Sequence, residues 1–457
     1  MRITVIGCGY LGATHAACMA DLGHEVLGVD VDQEKTAALA EGRPPFFEPG
    51  LARILERGVG TGRLRFTDSY ADAAEFGELH FLAVGTPQRP DGRADLRQLT
   101  SAVGELAPHL RRPCVVVGKS TVPVGTAEAL TGMLRQLAPV GGAASLAWSP
   151  EFLREGHAVE DTLRPDRLVI GRAEGDTRSA AALREVYRAL VLAGVPTVET
   201  DLATAELIKT AANSFLATKI SFINAMAEVC EAVGADVGQL ADALAHDSRI
   251  GGQFLQPGLG FGGGCLPKDI RGFAARAEEL GAGRALAFLR EVDGINVRRR
   301  ERLVELTVRA CGGTLDGRRI GVWGAAFKPG TDDIRDSPAL AVAAALRERG
   351  AEVVVYDPRA LDNARKTFPG LEYAESATAA AEGTDALLHL TEWREFGAVD
   401  PAPLAARVRA ARLVDGRPGL DLDRWRGAGW TCDVLGRGEP RPETAVPSPD
   451  GKTEVDV

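Results

Sequence analysis

The first thirty residues constrain the fold more than any other stretch of the chain. Residues 2–6 (RITVI) form a β-branched run that enters Gly7-Cys8-Gly9-Tyr10-Leu11-Gly12, followed by a helical stretch to Leu22 and a second strand pattern, Glu25 to Val29, closed by Asp30. Strand, glycine turn, helix, strand and acid, in that order, make a dinucleotide-binding unit. Gly7 makes the turn, Gly9 admits a pyrophosphate to the helix N-terminus and Gly12 lets the helix pack on the strand. Asp30 accepts from ribose hydroxyls, which favours NAD over NADP, and Tyr10 and Leu11 belong to the same cofactor-binding turn.

At 457 residues the chain has room for about three domains. Hydrophobic content of 45% and charged content of 25% are those of a soluble globular protein, and no apolar run approaches the roughly 20 residues of a membrane span. The N-terminus runs straight into a strand, leaving no place for a signal peptide, so cytoplasmic residence is expected. Seven scattered cysteines give neither a paired framework nor a CxxC metal spacing, so reduced thiols and no metal are expected. A net charge of −10 argues against nucleic-acid binding.

Further strands are predicted from Leu79 to Val84, ending in Gly85-Thr86-Pro87, and from Cys114 to Gly118, ending in Lys119-Ser120-Thr121-Val122-Pro123. In open α/β sheets ligands bind at strand C-termini, so Thr86 and Thr121 either present hydroxyls to a ligand or serve the turn alone. Apolar spacing from Thr204 to Val233 predicts one long helix bridging two domains. On it Lys209 and Asn213 share a face, either as a functional pair or as a snorkelling lysine and a back-bonded asparagine. A second helical stretch runs from about Arg284 to Arg309. Near Arg318 the opening pattern returns: Arg319 to Gly324, a loop with Lys328 and Arg335, a helix from Pro338 to Arg349, and Gly350 to Asp357, which parallels Gly23 to Asp30. The fold class is therefore α/β, with two Rossmann-like doubly wound domains joined by a central long-helix domain. Its expected boundaries are 1–200, 201–312 and 313–436, with a disordered tail at 437–457.

The run Gly260-Phe261-Gly262-Gly263-Gly264-Cys265-Leu266-Pro267-Lys268-Asp269 places a cysteine at the end of a glycine-rich turn, before a helix. Cys265 reads either as a nucleophile, whose ionisation Lys268 and the helix N-terminus are expected to ease, or as an incidental residue of a tight turn.

With GCGYLG (7–12), FFEPGL (46–51), VGTP (84–87), KSTVPVGT (119–126), SPEFLREG (149–156), AELIKTAANSFLATKISFIN (206–224), GFGGGCLPKD (260–269), AFKPGTDDIRDSP (326–338) and TEW (391–393), the chain resembles the UDP-glucose/GDP-mannose dehydrogenase family over roughly residues 1 to 435. The resemblance implies an NAD domain, a helical dimerisation core and a UDP-sugar domain, working as a homodimer or a larger homo-oligomer. It implies a four-electron oxidation of UDP-glucose to UDP-glucuronate through a Cys265 thiohemiacetal and thioester, assisted by Lys209, Asn213, Asp269, Thr121 and Glu151. Asp30, Lys35, Thr86, Thr121, Glu155, Lys268 and Arg335 would meet NAD. Glu151, Phe152, Leu153, Arg154, Glu155, Lys209, Asn213, Phe254, Leu255, Gln256, Pro257, Gly258, Gly262 and Lys328 would meet UDP-glucose. Arg249 resembles an arginine that reaches the substrate across a subunit boundary, and Arg417 one near the cofactor. The rival readings are the same chemistry on GDP-mannose or an N-acetylated UDP-hexose, a nucleotide-sugar sensor that lost the reaction, and a two-electron dehydrogenase of the 6-phosphogluconate type, which would need neither Cys265 nor the second α/β half.

Overall fold

β-Branched and leucine-rich runs that alternate with helices bury both faces of a parallel sheet, and the chain does this twice. A computed structural model describes residues 1–438. The first sheet contains β1 (Arg2–Ile6), β2 (Glu25–Val29), β3 (Leu64–Thr67), β4 (Leu79–Leu82), β5 (Cys114–Gly118), β6 (Ala144–Trp148), β7 (Leu168–Arg172) and β8 (Thr197–Thr200). Their order is β3-β2-β1-β4-β5-β6-β7-β8, with β7 antiparallel to β6. The second sheet contains β9 (Arg319–Trp323), β10 (Glu352–Tyr356), β11 (Glu372–Tyr373), β12 (Ala386–His389), β13 (Arg412–Asp415) and β14 (Thr431–Val434), ordered β11-β10-β9-β12-β13-β14. Its six strands repeat the order of the first six.

The two sheets close their first turns in related ways. Gly7 and Gly324 follow β1 and β9 with φ of 90° and 120°. Asp357, just after β10, is buried and accepts from the backbone N–H groups of Ala325 (2.8 Å), Ala326 (3.0 Å), Arg359 (2.9 Å) and Ala360 (2.9 Å), and from the Trp393 indole (3.0 Å). Its counterpart Asp30 takes the Cys8 N–H at 2.8 Å.

Between the sheets runs the 32-residue helix Leu202–Val233, roughly 48 Å long. Asp201 caps its start by accepting from Thr204 N, and left-handed Gly234 ends it. It packs against the helices Leu266–Glu279 and Phe288–Ala310. Among the described residues no helix is long and apolar enough to cross a membrane. The expected tail began at 437, but Arg437 is held: its backbone bridges to Asp236, and its guanidinium pairs with that carboxylate at 2.6 Å. Residues 439–457 lie outside the described residues.

Candidate active site

The nucleotide turn is built by three glycines doing three different things. A Cβ on Gly7 would sit 2.8 Å from Val84, and one on Gly12 would sit 1.7 Å from the Gly7 carbonyl oxygen, so both are required by close packing. Gly9 has nothing within 4 Å of its Cβ position and faces open space at the N-terminus of the helix Tyr10–Asp21. That space is where a pyrophosphate would sit against backbone N–H groups. Asp30 lies at the end of β2, ion-paired with Lys35 at 3.1 Å, so the residues present fit NAD. Leu11 is partly buried against the N-terminal core.

Tyr10 departs from expectation. Its hydroxyl donates to Glu48 and accepts from Gly156 N at 3.0 Å, so the phenol is occupied within the protein. Glu48 also accepts from Gly156 N (2.7 Å) and Ala158 N (2.8 Å), capping the short helix Ala158–Leu163. The sequence reading gave Glu48 no role, and nothing in the linear sequence ties position 48 to position 156.

Each glycine before Cys265 answers a close approach. A Cβ would meet Asn296 Oδ1 at 1.9 Å from Gly260, the Asp336 carbonyl at 2.5 Å from Gly262, the Phe327 ring at 2.7 Å from Gly263 and the Arg335 guanidinium carbon at 2.2 Å from Gly264. The turn is thus packed between the helix Phe288–Ala310 and the loop after β9. Cys265 caps the helix Leu266–Glu279.

Lys209 and Asn213 both reach this turn's surroundings. Lys209 is buried, with Nζ 3.2 Å from Glu151 Oε1 and 5.5 Å from the Phe152 ring centre, so it does not snorkel. Burial pulls its pKa down, but Glu151, Cys265 and Asp269 outweigh that and leave it above its ordinary value, as an ammonium. Asn213 Nδ2 donates to Asp269 Oδ2 at 2.6 Å, and Lys268 Nζ donates to Asp269 Oδ1 at 2.6 Å. The Thr86 hydroxyl donates to the Thr121 carbonyl at 2.8 Å. Thr86, Thr121, Thr210, Lys268 and Asp269 line a small cavity of about 20 Å³.

The expected easy ionisation of Cys265 is corrected. Its pKa is pushed up to about 12, first by desolvation and then by the Asp269 and Glu151 carboxylates, against the opposing pull of Lys209 and Lys268. The residue nevertheless keeps an exposed face. Desolvation is the largest cause of the rise, and Lys209 is the strongest of the charges that oppose it.

Glu155 joins the two α/β domains: Arg335 donates to it at 3.1 Å and the Thr331 hydroxyl at 3.2 Å. Burial and the Asp333 carboxylate push its pKa up to about 8. Burial lowers that of nearby Lys328, against the pull of Glu155. Leu153 N binds Glu151 Oε2 at 2.6 Å, whereas the guanidinium of Arg154 turns to Asp161 at 2.7 Å. Other predicted residues stand apart. Arg249 is exposed and pairs with Asp247 at 2.7 Å, and within one chain no contact brings it to Cys265. The Leu255 side chain packs with Ile223, Ala227 and Val237 in the helical core, leaving only its backbone to meet a substrate. Phe254 is half-buried with φ 61°, Gln256 is exposed and Pro257 is half-buried. Gly258 N binds Asn224 Oδ1 at 2.9 Å. Arg417 donates to the Gly260 carbonyl at 2.8 Å, at the start of the cysteine turn.

Known proteins share this arrangement. Residues 1–191 match the NAD binding domain of the UDP-glucose/GDP-mannose dehydrogenase family, residues 203–298 its central domain and residues 321–422 its UDP binding domain. A UDP-glucose 6-dehydrogenase of Rhizobium meliloti is 44% identical over 96% of this chain and 100% of its own length. A UDP-glucose dehydrogenase structure from Pyrobaculum islandicum is 38% identical and superposes with a TM-score of 0.86, covering 94% of this chain and 98% of that one. A UDP-D-ManNAc dehydrogenase structure from Pyrococcus horikoshii is 28% identical with a TM-score of 0.83, covering 96% and 100%. Three domain matches in order, on a chain whose two sheets flank a cysteine turn, establish that it belongs to the UDP-glucose/GDP-mannose dehydrogenase family.

Proposed function

We propose that this NAD-dependent dehydrogenase converts UDP-glucose, water and two NAD into UDP-glucuronate, two NADH and three protons. The observation that carries the reading is the gathering of Glu151, Lys209, Asn213 and Asp269 around the cleft of Cys265. NAD, when bound at the N-terminal turn, supplies the hydride acceptor for each oxidation. The Lys209 ammonium and the Asn213 amide stabilise the oxygen at C6 as its proton leaves, with Glu151 and Asp269 as the carboxylates near enough to receive it, and Thr121 positions water beside them. The Cys265 sulfur then adds to the C6 aldehyde while its proton passes, by way of a carboxylate, to the C6 oxygen, giving a thiohemiacetal. Loss of hydride from C6 and of the hydroxyl proton gives a thioester. Water cleaves the carbon–sulfur bond and restores the thiol. A raised thiol pKa is consistent with sulfur addition and proton loss occurring together.

Phe254 to Gly258, Gly262, Lys328 and the loop from Glu151 to Glu155 are assigned to the nucleotide sugar, and Lys35, Thr86, Lys268 and Arg335 to the cofactor. The long helix leaves Leu207, Phe215, Phe222, Val229 and Val233 exposed, three of them seven residues apart. Such a stripe is self-complementary, which supports a homodimer in which Arg249 would approach the other copy's site. The reaction's soluble nucleotide substrates support a cytoplasmic setting. Stoichiometry tests the reading: two NADH per UDP-glucose are expected, and one NADH with released aldehyde would overturn it. The resemblance to a UDP-D-ManNAc dehydrogenase makes a panel of nucleotide sugars the companion assay.

A further inference from the structure

Asp336 is, besides Phe254, the only non-glycine with positive φ among the described residues, at 49°, and it lies against the cysteine turn. In this conformation its carboxylate and its carbonyl face one side chain. Arg300 donates from Nη1 to Asp336 Oδ1 at 3.2 Å, and from Nη2 to the Asp336 carbonyl at 3.3 Å and the Phe261 carbonyl at 3.2 Å. Arg271, on the helix that Cys265 caps, reaches Asp336 Oδ2 at 3.3 Å and holds Asp293 at 2.8 and 2.9 Å. The neighbouring Arg335 carbonyl accepts from Gly263 N at 2.8 Å, and the Asp336 carbonyl lies where a Cβ on Gly262 would be. Phe261 is fixed on its other side by Asn296, which exchanges bonds of 2.7 and 2.9 Å with its backbone.

A strained aspartate from the C-terminal domain thus meets two arginines of the central helices, and those arginines hold the turn and the helix on either side of the thiol. Strain of this kind persists only where the surroundings over-determine it. We propose that Asp336 is a positioning residue for Cys265: its left-handed backbone aims carboxylate and carbonyl together at Arg300 and Arg271, and so fixes where the sulfur meets C6. The inference rests on the proposed covalent role of Cys265.

Asp336→Asn keeps both the tolerance for positive φ and an acceptor oxygen. Asp336→Gly keeps the backbone conformation and removes the carboxylate, and Asp336→Ala removes both. The Gly and Ala variants are expected to lower kcat for NADH formation about tenfold or more, with KM for UDP-glucose little changed, while Asn restores most of the rate. Without substrates, iodoacetamide labelling of Cys265, followed by peptide mass spectrometry across pH, should shift in Gly and Ala and return in Asn. Should Ala fail to fold, Gly serves in its place because its backbone is unstrained. Wild-type kcat and wild-type labelling in the Gly variant would overturn the proposal, as would an Asn variant as impaired as Ala. A wild-type enzyme that forms no NADH from UDP-glucose would instead refute the proposed function, and the labelling profiles would still decide the role of Asp336.

Discussion

Lys209 and Cys265 show how far single residues could be read before any coordinates. The helical spacing put Lys209 and Asn213 on one face, but only the fold shows Lys209 buried against Glu151, since position 151 lies on a distant loop. Lys209→Ala is expected to lower kcat by about 10²- to 10³-fold while changing KM far less, the cost of removing a preorganised donor. Lys219, on the same helix, binds the Ile250 and Gly251 carbonyls, so exposed Lys366 serves as the control. If both alanine variants lose the same activity, the Lys209 role fails. The ionisation of Cys265 was not legible, because desolvation, the largest cause of its raised pKa, comes from packing that the sequence does not display. Iodoacetamide labelling of Cys265 should rise about tenfold per pH unit from neutral into the alkaline range, and a plateau at neutral pH would show a thiolate instead. Asp30 and Lys35 were both read as meeting NAD, but only the fold shows them paired with each other. Asp30→Ala should therefore narrow the preference for NAD over NADP in kcat/KM by about tenfold, as the freed lysine meets the 2′-phosphate.

At the scale of elements, strands next to glycine turns were legible and the others were not. β1, β2, β4, β5, β9 and β10 stand beside turn residues that announce them, whereas β3, β8, β11 and β14 are two to four residues long with mixed exposure. The antiparallel entry of β7 depends on pairing with β6, which no local pattern encodes. Elements also finish one another. Glu206, in the first turns of the long helix, is buried and accepts from Gly125 N at 2.7 Å and Ala127 N at 2.6 Å, capping the helix Thr126–Leu137. Burial pushes its pKa up to about 7 against those backbone bonds. Glu206→Gln leaves one N–H facing an amide NH₂ and should cost about 1–2 kcal/mol, read as a lower urea midpoint. An unchanged midpoint would mean the cap adds nothing.

Across the whole molecule, the two-sheet plan was visible in the repeated strand-and-acid pattern, while the contacts between domains were not, since they join residues such as 155 and 335. Burial of Glu155 at that contact, against the pull of Arg335, gives stability a pH signature. A carboxyl whose folded pKa is raised favours its neutral form, so its contribution is present below the unfolded carboxylate value and is lost as pH climbs through about 8. Wild-type Tm should therefore fall more steeply between about pH 5 and about pH 8 than that of Glu155→Gln, which cannot ionise. Parallel curves would remove Glu155 from the account. The repeated strand order also bears on ancestry. Two sheets that thread β-strands in one sequence of neighbours look like copies of a single forebear, yet in the second copy Asp357 is buried under four backbone N–H groups and an indole. An acid so enclosed has no lone pair left for a ribose. Restoring the glycine fingerprint after β9 would thus not revive a dinucleotide site: divergence there has become irreversible by single steps, and such a revertant should still bind one NAD per chain.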